Sequence, residues 1–394
     1  MSDDTSPQWR AGRWLRDHAD SWVAWRSSQE SLRRQRLVTM TAAVSSVAHR
    51  ALLTPSADEI VTRYPDILAS CDRLAFKSDA ETVAYLIWHL SDRYGRVLQV
   101  LDRLFAAGHL PLRRSRLSVL EVGAGPAPVL FAVRDFYDDL RAFITTSDLG
   151  IEAASARILH AIDRGPAWSW LLHRFSEELC ARQGPDTDGS ALPFGITYDD
   201  LEGLSVRREH EAAIDRGAEA ILAEFERSDD DITRHTARRF AIEDGNYPPS
   251  AYDLIVMCNF LTNTHITEKF ATEIELLSTA LSAGGLLVVI GAAGGHYPAV
   301  YTRLDAILSQ TRLRPLNDFP HPIQAHADEG QRNLIGAQIR GDVAFSSALA
   351  PAAFATTQHR LPEDITNLGQ PIEFPQFQVR AWKNEWQRRT SWRS

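Results

Sequence analysis

Leu117 to Val133 constrains the fold more than any other stretch of this 394-residue chain. Leu117-Ser-Val-Leu-Glu121-Val-Gly123-Ala124-Gly125-Pro-Ala-Pro-Val-Leu-Phe-Ala-Val133 runs from an apolar segment with β-branched residues, through two spaced glycines, into a renewed apolar pattern at helical spacing. That order reads as strand, tight loop and helix. Glycines let backbone approach a ligand where a Cβ would collide, and the helix aims its unpaired N–H groups and positive dipole end into the loop. The expectation is a cofactor cradle.

Spacing separates the cofactor classes. A dinucleotide fingerprint needs a third glycine, which would fall on Pro128, where proline gives neither the close backbone approach nor the helix packing. Acidic-x-Gly-x-Gly, here Glu121-Val-Gly123-Ala124-Gly125, instead resembles the first motif of the class I S-adenosylmethionine (SAM)-dependent methyltransferases. Members usually carry a further glycine where this chain has Ala127. The sequence predicts a second strand over Arg141–Asp148, ending on a carboxylate suited to the two ribose hydroxyls, with Leu149 beside it at the cofactor. Tyr252–Asn259 and Ala283–Gly291 resemble the family's fourth and fifth strands, the latter with its Gly-Gly turn. A third strand is expected near Ala237–Ile242, and the resemblance puts Asp244, with Glu243 second, at the adenine amino group. Asn333–Ile339 and Phe374–Trp382 are expected as a closing pair, the last strand antiparallel. The predicted fold is therefore α/β, a Rossmann-like seven-stranded, mostly parallel sheet with helices on both faces, a helical N-terminal addition and a helical insertion. The expected organisation is a helical region over 1–77 and a methyltransferase domain over 78–394, with the insertion at about 165–235 and C-terminal strands at about 333–386.

Around this core, Trp14, His18, Trp22 and Trp25 fall on one helix face, which must pack on the body, on a homodimer partner, or as a lid over the substrate. Ser78-Asp-Ala-Glu81 is a capping-box pattern opening a helix whose face continues through Tyr94 to Leu101. In the family the helix before the glycine loop lies across the cofactor, so the resemblance offers Tyr94, with Tyr85 or Arg96, as a cofactor contact. Trp168, Trp170, Leu171 and Leu172 open another helix.

Methyl transfer from a sulfonium asks the protein mainly to align the acceptor, exclude water and at times remove a proton. Asn259 sits at a strand end that presents groups to substrate, but Asn259-Phe260-Leu261 lacks the Pro-Pro-aromatic sequence of amino-methylating DNA enzymes. His265 is a candidate general base. His296 and Tyr297 follow a glycine pair and suit a substrate loop, or a surface turn with Tyr297 packed down.

A net charge of −9 disfavours non-specific binding to phosphate backbones and points to a small-molecule acceptor, methylated on oxygen or nitrogen. The alternatives are an RNA methyltransferase using the arginines between Arg10 and Arg36, and a non-catalytic scaffold with the same fold. Three widely spaced cysteines give neither a disulfide framework nor a metal signature, so no metal is expected. No apolar run approaches membrane-spanning length and no signal-peptide core is present, so a cytoplasmic protein is expected.

Overall fold

A computed structural model describes residues 7–52, 76–112, 116–147, 156–163, 166–183, 252–324 and 376–385. Three helices, α1 (Pro7–Asp17), α2 (Ala19–Ser28) and α3 (Glu30–Leu52), precede a long α4 (Asp79–Ala106). Then come β1 (Arg116–Val122), α5 (Pro128–Thr146), β2 (Ala156–Ile162), α6 (Pro166–Gln183) and β3 (Tyr252–Cys258). The rest is α7 (Thr264–Lys269), α8 (Ala271–Thr279), β4 (Leu281–Ala292), α9 (Tyr297–Leu308), β5 (Leu313–Pro315), β6 (Ile323–Gln324) and β7 (Gln376–Asn384).

The seven strands form one sheet in the order β2-β1-β3-β4-β7-β5, with β6 also on β7. β2, β1, β3 and β4 are mutually parallel, and β7 runs antiparallel to β4, β5 and β6. Side chains alternate between two cores, as a sheet covered on both faces requires. Leu254, Val256 and Cys258 join the core under α2 to α6, whereas Ile255 and Met257 join the one under α8 and α9. The anticipated sheet and its antiparallel last strand are thus present. The strands beside β7 are β5 and β6; Asn333–Ile339 and Ala237–Ile242 lie outside the described residues.

One expectation is overturned. Arg141–Thr146 is the last turn and a half of α5, not a strand. Phe143-Ile-Thr-Thr has local strand propensity, but Phe136, Tyr137, Leu140, Phe143 and Ile144 continue one buried helical stripe from Pro128, and the long-range period wins. The second strand is Ala156–Ile162, which Arg157 and His160 hide from a hydrophobicity reading. His160 is buried because its Nδ1 meets the Tyr252 hydroxyl at 2.6 Å. With β2 placed there, α6 is the helix returning from β2 to the sheet.

The capping box forms as read: Ser78 accepts from the Glu81 backbone N–H at 3.3 Å, and the Glu81 carboxylate accepts from the Lys77 N–H at 2.8 Å. The Trp face is broken at His18, which separates α1 from α2. It nevertheless packs on the body. Trp22 is buried against Phe105, Phe136 and Phe143, and its indole donates to Asp102 at 2.8 Å. Arg26 bridges Asp139 at 2.9 Å and Asp102 at 3.2 Å, and Arg36 pairs with Asp139 from α3. Two arginines of the basic N-terminal segment thus point inward to carboxylates.

Candidate functional site

Glu121 closes β1 and is 1 % exposed, with both oxygens spent on the start of α5: one accepts from the Val129 N–H at 3.2 Å, the other from Leu130 at 3.1 Å. It therefore holds the loop rather than reaching into it. These bonds favour the carboxylate, yet burial dominates and pushes its pKa well above the usual range. Glu121→Ala, leaving two buried N–H groups unmet, is expected to cost about 1–3 kcal/mol in a denaturant titration. Since the folded-state pKa is raised, the wild type should lose stability relative to Glu121→Gln as pH climbs above the ordinary carboxylate range; parallel pH profiles would contradict the burial argument.

Between strand and helix, Gly123 and Gly125 have φ of +67° and +51°, so both need the left-handed region. The Gly123 and Ala124 N–H groups donate to Ile162 at 2.9 and 3.0 Å, tying the loop to the end of β2. Ala127, where the family has glycine, also takes a left-handed conformation (φ +55°), which costs an L-residue roughly 1–2 kcal/mol. A Cβ on Gly123 would run into the Phe260 ring, and one on Gly125 would sit 3.5 Å from Trp168. Phe76 and Tyr85 pack on Trp168 with centroids at 4.9 and 5.3 Å.

The residue after β2 is Asp163, whose carboxylate accepts the Gly125 N–H at 2.8 Å. The acid after the second strand is thus Asp163; the strand expected to end on Asp148 is helical to Thr146, and Asp148 and Leu149 lie outside the described residues, as does Asp244. A turn signal was available in Asp163-Arg-Gly-Pro166, but the strand before it did not read as one.

Sheet order, a buried acid capping the helix behind a glycine loop, and a carboxylate closing the next strand now stand together. This is the arrangement that the resemblance to the class I SAM-dependent methyltransferases implies. Within that fold, Asn259 follows β3 half-buried, in a left-handed conformation (φ +55°), its N–H on Ile290 at 2.8 Å. Strain of this kind gathers where a fold presents a side chain to a ligand. His265 and His296 are exposed, on α7 and before α9. Tyr297 is 7 % exposed and would collide with a Cβ on Gly291, so it is the packed-down residue of a turn. Tyr94 is likewise turned elsewhere: its hydroxyl donates to Asp135 on α5 at 2.7 Å, inside the ion network that fastens α3.

Sequence reasoning passed over Arg93. It is 6 % exposed, lies 4.7 Å over the Tyr85 ring, and has no hydrogen bond or ion pair among the described residues. Its charge is felt by Glu121 and by Cys258, whose thiol burial pushes up to about 11. A buried guanidinium that no carboxylate among the described residues bonds suits an anion. Only its neighbours Asp92 and Arg96, a pair at 2.8 Å, hinted that this helix face carries charge inward.

Family models and curated proteins give no match to this chain. Solved structures do. The YcgJ protein of Bacillus subtilis is 10 % identical, covering 75 % of this chain and 100 % of its own, with a TM-score of 0.33. A protein described as a candidate sarcosine dimethylglycine methyltransferase from Galdieria sulphuraria is 10 % identical over 73 % and 85 %, with a TM-score of 0.33. A SAM-dependent methyltransferase from Geobacter sulfurreducens, bound to S-adenosyl-L-homocysteine, is 13 % identical over 81 % and 97 %, with a TM-score of 0.30. Likeness this distant adds nothing to function, which rests on the geometry above.

Proposed function

We propose that this chain is a SAM-dependent methyltransferase acting on an oxygen or nitrogen of a small-molecule acceptor. The observation that carries the reading is the convergence of Gly123, Gly125 and Asp163 at the ends of β1 and β2, with the unpaired Arg93 nearby. SAM supplies an electrophilic methyl on a sulfonium. Asp163, released from the Gly125 N–H, accepts the ribose hydroxyls; Gly123 and Gly125 let the backbone approach; Arg93 holds the carboxylate. Trp168 and Phe260 keep water from the loop, and Asn259 orients the acceptor. No general base is assigned, since His265 and His296 stand in solvent and an acceptor already deprotonated, such as a free amine, needs none. The inward pairing of Arg26 and Arg36 and the acidic net charge favour a small acceptor over RNA.

The test is Gly125→Val. A side chain there would fill the ligand's approach, and the backbone strain adds to its cost, so calorimetry is expected to show SAM binding lost. Far-ultraviolet dichroism should remain that of the wild type. Wild-type affinity in this variant would remove the cradle from the argument.

A further inference from the structure

We propose a second ligand site, for a small oxyanion, at the opposite end of the sheet from the glycine loop. It is a cleft of about 30 Å³ between α1, the turn after α4 and the start of β4, with Lys383 of β7 in its wall. Since one water needs about 10–15 Å³, the space accepts the two oxygens of a carboxylate or one face of a phosphate.

Charge decides what goes there. Lys383 is one of only three lysines in a chain whose other basic residues are arginines. Among the described residues its ammonium makes no hydrogen bond or ion pair, although it is half-buried. Arg16, on α1, makes only a 3.5 Å bond to the Ala107 carbonyl. The two nearby acids each already hold a cation or ring: Asp318 the His109 Nε2 at 2.9 Å, and Glu385, which also acts on Lys383 from a distance, Arg314 at 2.9 Å. The His109 Nδ1 is buried without a partner. Burial holds Lys383 below the usual lysine range, with Glu385 opposing and Arg16 adding to the effect, and His109 is lowered by burial and by Lys383 and Arg16 although Asp318 opposes this. A half-buried ammonium without a hydrogen bond among the described residues, a second cation close by and a histidine with a buried, unmet nitrogen leave a space that an anion would stabilise. The walls suit it, because Gly12, Gly108, Ala283 and Gly284 present little beyond backbone. An anion here would join α1 to β7 through Arg16 and Lys383.

The experiment follows thermal stability of the full chain in sodium acetate and in orthophosphate, with sodium chloride matching ionic strength. Either oxyanion at tenfold above its dissociation constant is expected to raise Tm by about 2 °C over chloride. A larger effect of acetate identifies a carboxylate ligand, and a larger effect of orthophosphate a phosphate. Binding should take up protons, seen as a calorimetric heat that varies with the buffer's ionisation enthalpy. Lys383→Met should lose the shift and Arg16→Gln, at an exposed side chain, at least half of it. Wild-type shifts in both variants overturn the proposal, as does a wild type that responds to neither anion beyond chloride. If Lys383→Met does not fold, Arg16→Gln alone decides by the same criterion.

Discussion

Asp139→Ala is expected to lower stability by about 3–5 kcal/mol, because it takes from two inward-turned arginines the buried carboxylate that they share. Asp139 is 2 % exposed and receives Arg26 at 2.9 Å together with Arg36, while Arg26 also reaches Asp102. For a chain of this size the loss corresponds to a fall in Tm of about 4–6 °C, and a fall below about 2 °C would mean that solvent compensates the arginines. The same network sets a pH response. Burial by itself would raise the Asp135 pKa, but Arg134 and Arg36 outweigh it and hold the carboxyl below its ordinary range. Its stabilisation is therefore present above the ordinary Asp pKa and disappears as pH falls through the lowered folded-state value. For Asp139 burial prevails and the pKa is raised, so its ionisation in the fold is disfavoured, which opposes the Asp135 trend near the ordinary Asp range. With α2 and α3 fastened in this way and Trp22 buried, the N-terminal helices are a permanent part of the body.

Asp163→Ala is expected to weaken SAM by at least about tenfold, since a carboxylate accepting ribose hydroxyls contributes on the order of 1.5–3 kcal/mol per bond. Calorimetry on Asp163→Ala, Asp163→Asn and Asp148→Ala separates the assignments. The expected order is a large loss, a smaller loss and none. Asp163 also holds the Gly125 N–H at 2.8 Å, so a purely structural role would show instead as lost stability with SAM affinity kept. That result, or a loss at Asp148 alone, would move the ribose contact away from β2.

The glycine loop, β3, β4, β7 and the Ser78 cap were legible because each advertises itself locally: a φ-demanding residue, an unbroken apolar run, a cap three residues before its partner. β2 was not, because its His160 is satisfied through space. Nothing near His160 in the chain announces that Tyr252, across β1, will bond it at 2.6 Å. The helical run through Thr146 misled for the converse reason, since Phe143 to Thr146 favour a strand one residue at a time and only the stripe begun at Pro128 says otherwise. The candidate site divides likewise. Glu121, Gly123 and Gly125 belong to one motif and come together, whereas Asp163, Arg93 and Trp168 acquire their places from strand and helix packing. The Tyr94 bond to Asp135 was not legible, because helical spacing tells that a residue faces inward but not which interior it faces.

The position of β7 has a consequence for how the chain is made. β4 is complete at Ala292, yet the edge that it offers is filled only by Gln376–Asn384, with β5 and β6 joining outside β7. On the ribosome, at roughly 5–20 residues per second, more than eighty residues must follow before that partner is synthesised. For several seconds the nascent sheet therefore has an open, strongly apolar border, and β5 and β6 lack the strand that they pair with among the described residues. Folding of this half of the sheet cannot run ahead of translation; its last seam closes in a single late event that unites elements from both sides of a long connecting segment.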